Sequence, residues 1–416
     1  MLVPKLRFKR EDGTSYPDIE SLMLGERFTF KNGINASREA FRAEGIQCIG
    51  VSDVVKCLPI TSKNVKGTVA ISEEEIKKNI VNYGDILFQR SSETKEDIGY
   101  ASVYYDKTPA VYNGFVICAK PDKLFYAPIY LHYALQHSRI RKQTVTLGAG
   151  TGQHYNIGQE GLARIKVIIP CLEEQQKIAE FLSEVDEVIM QSEAEVQKLE
   201  QQKRAAMQKI FSQEICFRRE DGEAYPKWKE KQLGLIGKAT SGSGFSEKYQ
   251  GYKDLPIPFY KVSDMNNAGN EIIMSNSNNY VSEELLSTMR LKACHRNSLI
   301  FAKVGAALLL DRKRIAISPF LVDNNMMIFT PNNENVLEYV YYWFTNTRLS
   351  KYAQVGALPS FNAGDIESIT IPLPHIEEQQ KIADFLSAYD EAICFARQEL
   401  EKWKELKKGL LQQMFV

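Results

Sequence analysis

The sequence predicts an α/β (α+β) fold of two globular domains in tandem, joined and spaced by two long antiparallel coiled-coil helices. Three observations predict it: an internal duplication, two uninterrupted heptad-patterned stretches, and short strand and helix patterns interleaved between them.

The duplication comes first because it sets every boundary. EEQQKIAEFLS at 173–183 returns as EEQQKIADFLS at 377–387, ten identities in eleven positions at an offset of 204. Near the start of each half, LRFKREDGTSYP (6–17) matches ICFRREDGEAYP (215–226) at an offset of 209. Fainter matches lie between, with GVSDV (50–54) beside KVSDM (261–265) and GDILFQRSS (84–92) beside NSLIFAKVG (297–305). Shared framework with divergent loops describes one scaffold presenting two unlike binding surfaces. The implied division is a globular domain at 1–172, a helix at 173–212, a second globular domain at 213–376 and a second helix at 377–416.

The helices follow from spacing. Ile189, Ser192, Val196, Leu199, Lys203, Ala206 and Ile210 alternate steps of three and four, as do Ile393, Ala396, Leu400, Trp403, Lys407, Leu410 and Met414. No proline falls in either stretch, and Gly409 is their one glycine, so each reads as a long helix, broken or bent near Asp186 and Asp390. Two such seams in one chain can bury each other, and equivalent halves about an approximate twofold axis favour an antiparallel pair with a globular domain carried at each end.

Within the first globular domain strands are expected at 46–51, 68–71, 85–89, 101–105, 111–118 and 165–169. Ser72 can cap a helix at 73–78, and Pro128 suits the first position of a helix reaching about Arg141. The second domain offers strands at 259–262, 299–302, 315–317 and 326–329, with helices starting at Glu283 and Asn335.

Composition narrows the function. Hydrophobic residues at 44% and charged residues at 25% of 416 residues exclude disorder and fibrous repeats. No apolar run approaches the ~18 residues of a membrane span, and MLVPKLRFKREDG lacks the apolar core of a signal peptide. Seven scattered cysteines without a CxxC encode neither a disulfide framework nor a zinc site, and a reducing cytoplasm is the expected location. Five histidines show no HExxH or paired spacing, and no nucleophile elbow, Walker loop, methyltransferase tetrad or nuclease pattern occurs. Neither GAGTG (148–152) nor SGSGF (241–245) has the strand, helix and acidic residue of a dinucleotide fingerprint, so both read as loops. The place matching GAGTG in the second half holds QVGALPS (354–360). Glu173 and Glu174, like Glu377 and Glu378, sit where a helix first turn welcomes negative charge.

Fifty-two basic and fifty-two acidic residues cancel, but the cancellation hides a split. The two helices hold more acids than bases, leaving 41 bases against 35 acids in the globular domains. Basic and polar residues gather in equivalent loops. Arg90, Ser91 and Lys95 follow the strand ILF, with Arg139, Arg141, Lys142 and then Gln153, His154 and Tyr155 further on. Lys303 follows LIF in the second half, with Arg312, Lys313 and Arg314 beyond. Arg and Gln read base edges, whereas Lys and Ser bind phosphate, which makes these the candidate DNA-binding residues.

The duplicated EEQQKIA-FLS element, the D-E-x-I at 186–189 and 390–393, the heptad helices and the KKGLLQQMF end resemble the specificity subunit of type I restriction-modification systems. The resemblance spans the chain. It implies two target recognition domains, each reading one half of a bipartite double-stranded DNA target, with the helices as spacer. It further implies a prokaryotic source and docking of two adenine-methyltransferase subunits, which bind S-adenosylmethionine, leaving no cofactor or metal to this chain. Restriction and translocase subunits are the further implied partners. From Ile189 to Phe211 the seam spans about 34 Å at ~1.5 Å per residue, close to one turn of DNA. Two other classes stay open on the residues alone: a non-catalytic scaffold with two peptide-binding domains, and a self-contained enzyme.

Overall fold

The computed structural model describes residues 4–42, 44–123, 125–354 and 359–415. The chain forms two compact units, Met1–Glu193 with Gln398–Val416, and Ala194–Arg397. The long helices Leu172–Phe211 and Ile376–Met414 therefore each give one part to each unit. Neither helix is interrupted at Asp186 or Asp390, contrary to the expected break, and Gly409 stays inside the second at about 1 kcal/mol relative to alanine.

In the first unit, a four-stranded antiparallel sheet runs in the order Phe28–Asn32, Val116–Pro121, Ile86–Gln89, Ala101–Val103. Beside it lies a three-stranded sheet, Thr68–Val69, Ile46–Ile49, Ala110–Tyr112, whose last pair is parallel. The stretch expected as one strand at 111–118 is thus two strands serving different sheets. Asn113 and Gly114 make the corner, and the Asn113 side chain accepts the Phe115 N–H at 3.1 Å. The expected helix 128–141 is likewise two, Pro128–Gln136 and Ser138–Leu147, because His137 adopts an extended ψ of 143°. The Ser72 cap forms as read, with Glu75 returning the bond to the Ser72 N–H.

In the second unit a five-stranded sheet takes the order Gly237–Ser241, Met326–Pro331, Ser298–Ala302, Lys313–Ala316, Ile273–Met274. A three-stranded sheet, Tyr280–Val281, Ile257–Tyr260, Leu321–Val322, again contains one parallel pair. Each unit also pairs an early strand with a late one, Glu20–Met23 with Lys166–Ile169 and Lys229–Gln232 with Thr370–Leu373.

Each core is closed by residues of the long helices, with Phe415 just past the end of the second. Ile178, Leu182, Met414 and Phe415 join Phe28, Phe88 and Tyr130 in the first unit, and Met207, Ile210, Ile382 and Leu386 join Phe301, Phe329 and Phe344 in the second. Truncating a side chain as buried as Leu182 or Ile210 costs about 2–5 kcal/mol. Along the seams no predicted position is exposed. The helix segments run antiparallel within each unit, as the ion pairs Asp186–Lys407 and Glu193–Lys404 show in the first, and Glu200–Arg397 and Lys203–Asp390 in the second.

The EEQQ elements do more than meet a helix dipole. Glu174 is buried and takes a bidentate grip from Arg7 at 3.0 and 2.6 Å, while the equivalent Glu378 accepts the Trp228 indole N–H at 3.0 Å. Gln175 accepts the Ala127 N–H and donates to the Pro170 carbonyl; Gln379 does the same with Val336 and Pro374. The duplicated residues are those that clasp a globular domain to its helix, which is why they read almost identically.

Candidate nucleic-acid interface

Part of the candidate set gathers around the end of an inner strand of each main sheet. In the first unit Ile86–Gln89 delivers Arg90, whose N–H donates to the Phe115 carbonyl at 2.8 Å and whose carbonyl accepts the Ile157 N–H at 3.0 Å. In the second, Ser298–Ala302 delivers Lys303, whose N–H donates to the Asn325 carbonyl at 2.9 Å and whose carbonyl accepts the Phe361 N–H at 3.2 Å. The two cations occupy the same backbone position of the repeated scaffold. Arg90 Nη1 also donates to the Gly114 carbonyl at 3.3 Å, and Lys303 Nζ donates to Ser241 Oγ at 3.0 Å.

Ser91 begins a short strand, Ser91–Ser92, that pairs with His154–Asn156, which in turn pairs with Ala149–Thr151. Residues 65 positions apart thereby meet: Ser91 Oγ donates to Asn156 Oδ1 at 2.6 Å. The GAGTG segment is this hairpin rather than an unstructured loop. Gly150 has φ +151, and a Cβ there would stand 2.0 Å from the His154 carbonyl oxygen; Gly152 has φ +68 at the turn. Gln153 and His154 are exposed and Tyr155 is half-buried on the hairpin. The second unit keeps the framework, with bridges Val304↔Ser360 and Gln354↔Ser360, but residues 355–358 of the matching QVGALPS lie outside the described residues.

The other candidates divide. Lys95 and Lys142 are exposed. Arg141 is committed internally, donating to Thr144 Oγ1 and the Glu96 carbonyl while its guanidinium lies 3.8 Å from the Tyr100 ring centroid. Burial holds that guanidinium below its ordinary pKa. Arg139 is half-buried, with Nη1 enclosed and lacking a hydrogen-bond partner.

In the second unit Lys313 departs from expectation. It is 3% exposed, its ammonium sits 2.7 Å from Asp311 and donates to the Thr347 carbonyl at 2.9 Å, and burial lowers its pKa. No face of it is left for DNA. Arg314 donates to the carbonyls of Asn270, Lys313 and Met265, with burial again lowering its pKa, and Arg312 donates to Asn266 Oδ1. Strand alternation within Lys313–Ala316 turns part of a basic run inward, and the carbonyls waiting there come from residues 34 to 49 positions away.

One feature escaped the sequence reading. Phe115, 62% exposed, stands on the corner beside Arg90, and the Asn113–Gly114 pair was its available signal. The second unit has Asn325 at the same place, also exposed. An exposed aromatic and an arginine suit stacking and base-edge readout, whereas lysine, serine and asparagine suit phosphate and polar edges. Among the described residues, no group of His, Cys, Asp and Glu is arranged to hold a metal ion, and no helix is long and apolar enough to cross a membrane. His132, the most buried histidine, is held by Ser102 and Gln136, and burial lowers its pKa to about 4.

Comparison with known proteins places these geometries. The family model described as type I restriction modification DNA specificity domain matches residues 24–201 and again 225–405. In Methanocaldococcus jannaschii, a relative carrying the MjaX specificity-subunit name is 27% identical over 363 residues, covering 82% of this chain and 80% of the relative. The type I restriction enzyme MjaIX specificity subunit of the same organism is 24% identical over 364 residues, covering 84% and 81%. Among solved structures, the type I restriction-modification S subunit of M. genitalium shares the fold with a TM-score of 0.58 at 15% identity, covering 100% of this chain and 99% of that one.

Proposed function

The chain belongs to the type I restriction modification DNA specificity family, and from that premise we propose how its two units divide the work. The protein is a DNA specificity subunit with two recognition domains, and each reads one half of a bipartite target through the face around Arg90 or Lys303. The observation that carries this reading is the pairing of those two cations: the backbone bonds around them are the same, while their neighbours differ in chemistry. A shared frame holds each face at the DNA backbone, and the unlike side chains confer unlike sequences.

In the first unit the proposed readers are Arg90, Phe115, Gln153 and His154, with Ser91 and Lys95 at phosphates. In the second they are Lys303, Ser241 and Asn325, with Arg312 at the margin. Methyl transfer from S-adenosylmethionine to adenine, and any cleavage, belongs to partners: two methyltransferase subunits docked on the helices, and restriction subunits beyond them. The long helices set the gap between the half-sites.

Domain exchange tests this. Replacing residues 213–376 by the same segment of a relative, and mapping methylated adenines in cells carrying the complete system, should change one half of the methylated sequence and leave the other intact. A change in both halves would refute independent reading. The isolated chain should transfer no methyl group to DNA.

A further inference from the structure

Both heptad seams place a lysine where an apolar residue belongs, Lys203 and Lys407, 204 positions apart. A polar group at such a position fixes register at a cost in stability. Each lysine meets the same pair of partners. In the first unit Lys407 Nζ lies 2.5 Å from Asp186 Oδ1 and 5.3 Å from the ring centroid of Tyr133, whose hydroxyl donates to Asp186 Oδ2 at 2.7 Å. In the second, Lys203 Nζ lies 2.5 Å from Asp390 Oδ1 and 5.0 Å from the ring centroid of Tyr342, whose hydroxyl donates to Asp390 Oδ2 at 2.7 Å.

Each cluster ties three elements. The aspartate comes from one long helix, the lysine from the other, and the tyrosine from the globular-domain helix, Pro128–Gln136 or Leu337–Asn346. Both tyrosines are nearly wholly buried, and burial followed by the neighbouring carboxylate drives their pKa far up, so each hydroxyl remains a donor. Apolar burial is non-directional, whereas a charge-assisted bond among three elements has one favourable geometry.

We propose that the Tyr133–Asp186–Lys407 and Tyr342–Asp390–Lys203 clusters are positioning clamps that fix the angle at which each recognition domain is carried on the helices, and thereby restrict the target to one spacer length. The inference rests on the reading that the helices set the gap, and deepens it by assigning the tolerance of that gap to six side chains. None of the six is placed at the DNA face.

The test uses the full chain assembled with the methyltransferase subunits of its own system, acting on DNAs that carry both half-sites at the native spacer or one base pair longer or shorter. The variants are Tyr133→Phe with Tyr342→Phe, and Lys203→Met with Lys407→Met, each pair folded by thermal melting. Methylation of the off-length spacers relative to the native one should rise about tenfold, the equivalent of one charge-assisted hydrogen bond. A merely structural role would lower the melting temperature and total activity but leave that ratio unmoved. An unchanged ratio in the Tyr→Phe pair, which keeps the packing, overturns the proposal even where the Lys→Met pair does not fold. A parallel arm lengthens both helices at facing positions. If it leaves the spacer unaltered, the gap-setting reading fails; if it shifts the spacer while the clamp variants stay selective, only the clamps fail.

Discussion

The two units share a framework and differ in how much of their loop-borne positive charge stays in solvent. In the first unit, the region after the central strand runs into a hairpin sheet, and Lys95, Gln153 and His154 stay in solvent. In the second, the basic run Arg312–Arg314 folds back on its own unit, with Lys313 withdrawn against Asp311 and Arg314 spent on carbonyls. The first unit thus presents an arginine and an aromatic around its shared position, the second a lysine among serine and asparagine. Duplication preserves the bonds that hold the backbone, and divergence works on side chains those bonds do not use.

Lys313→Ala should show the largest effect. It takes the ammonium from the half-buried Asp311 carboxylate, which keeps the Leu349 N–H, and should destabilise the second unit by roughly 3 kcal/mol, while Arg312→Ala stays within about 0.5 kcal/mol. Denaturant unfolding measures both, and equal effects would erase the distinction drawn between buried and marginal cations.

Acid should separate the units next. The folded pKa of His132, about 4, lies below its unfolded value near 6.5, so the stability of the neutral imidazole is present above 6.5 and lost as pH falls toward 4. The loss reaches about 3 kcal/mol at the bottom of that window. The second unit has Tyr341 at the matching position and lacks this route. Hydrogen exchange should show the first unit opening before the second between pH 6 and 4, and His132→Gln should flatten the dependence.

Recognition should then divide by half-site. Arg90→Ala should cost about 1–3 kcal/mol of binding and relax selectivity in one half, and Lys303→Ala should weaken the other. Competition binding with DNAs altered in a single half separates the two, and a variant that affected both halves equally would break the comparison. Gly150→Ala, whose Cβ would stand 2.0 Å from the His154 carbonyl oxygen, should force the hairpin backbone apart. It should blunt reading of the first half-site, whereas Gln354→Ala in the second unit should do nothing measurable.

How much of this was legible follows from where each signal resides. The duplication, the two seams and the Ser72 cap involve neighbours within a few residues or a verbatim repeat, so the sequence alone determined them. Periodicity was less help at 111–118 and 128–141, where strand and helix propensity run through, but an Asn-Gly corner and an extended His137 divide the elements. The Asn-Gly pair could have been read; the His137 turn lacks such a mark. Arg90 and Lys303 stand directly after their strands, as the spacing implied, but the burial of Lys313 was not legible, because its strand-mates look alike until the Thr347 carbonyl arrives from another element.

The clusters at the seams make the division plain. That Lys203 and Lys407 interrupt an apolar pattern is written in the sequence, which fixes side-chain spacing along a helix by its 3.6-residue turn. That Lys203 is neutralised by Asp390, 187 residues away, and overlaid by Tyr342 was decided by tertiary packing, because a charge leaves water only where distant elements bring its partner within bonding distance.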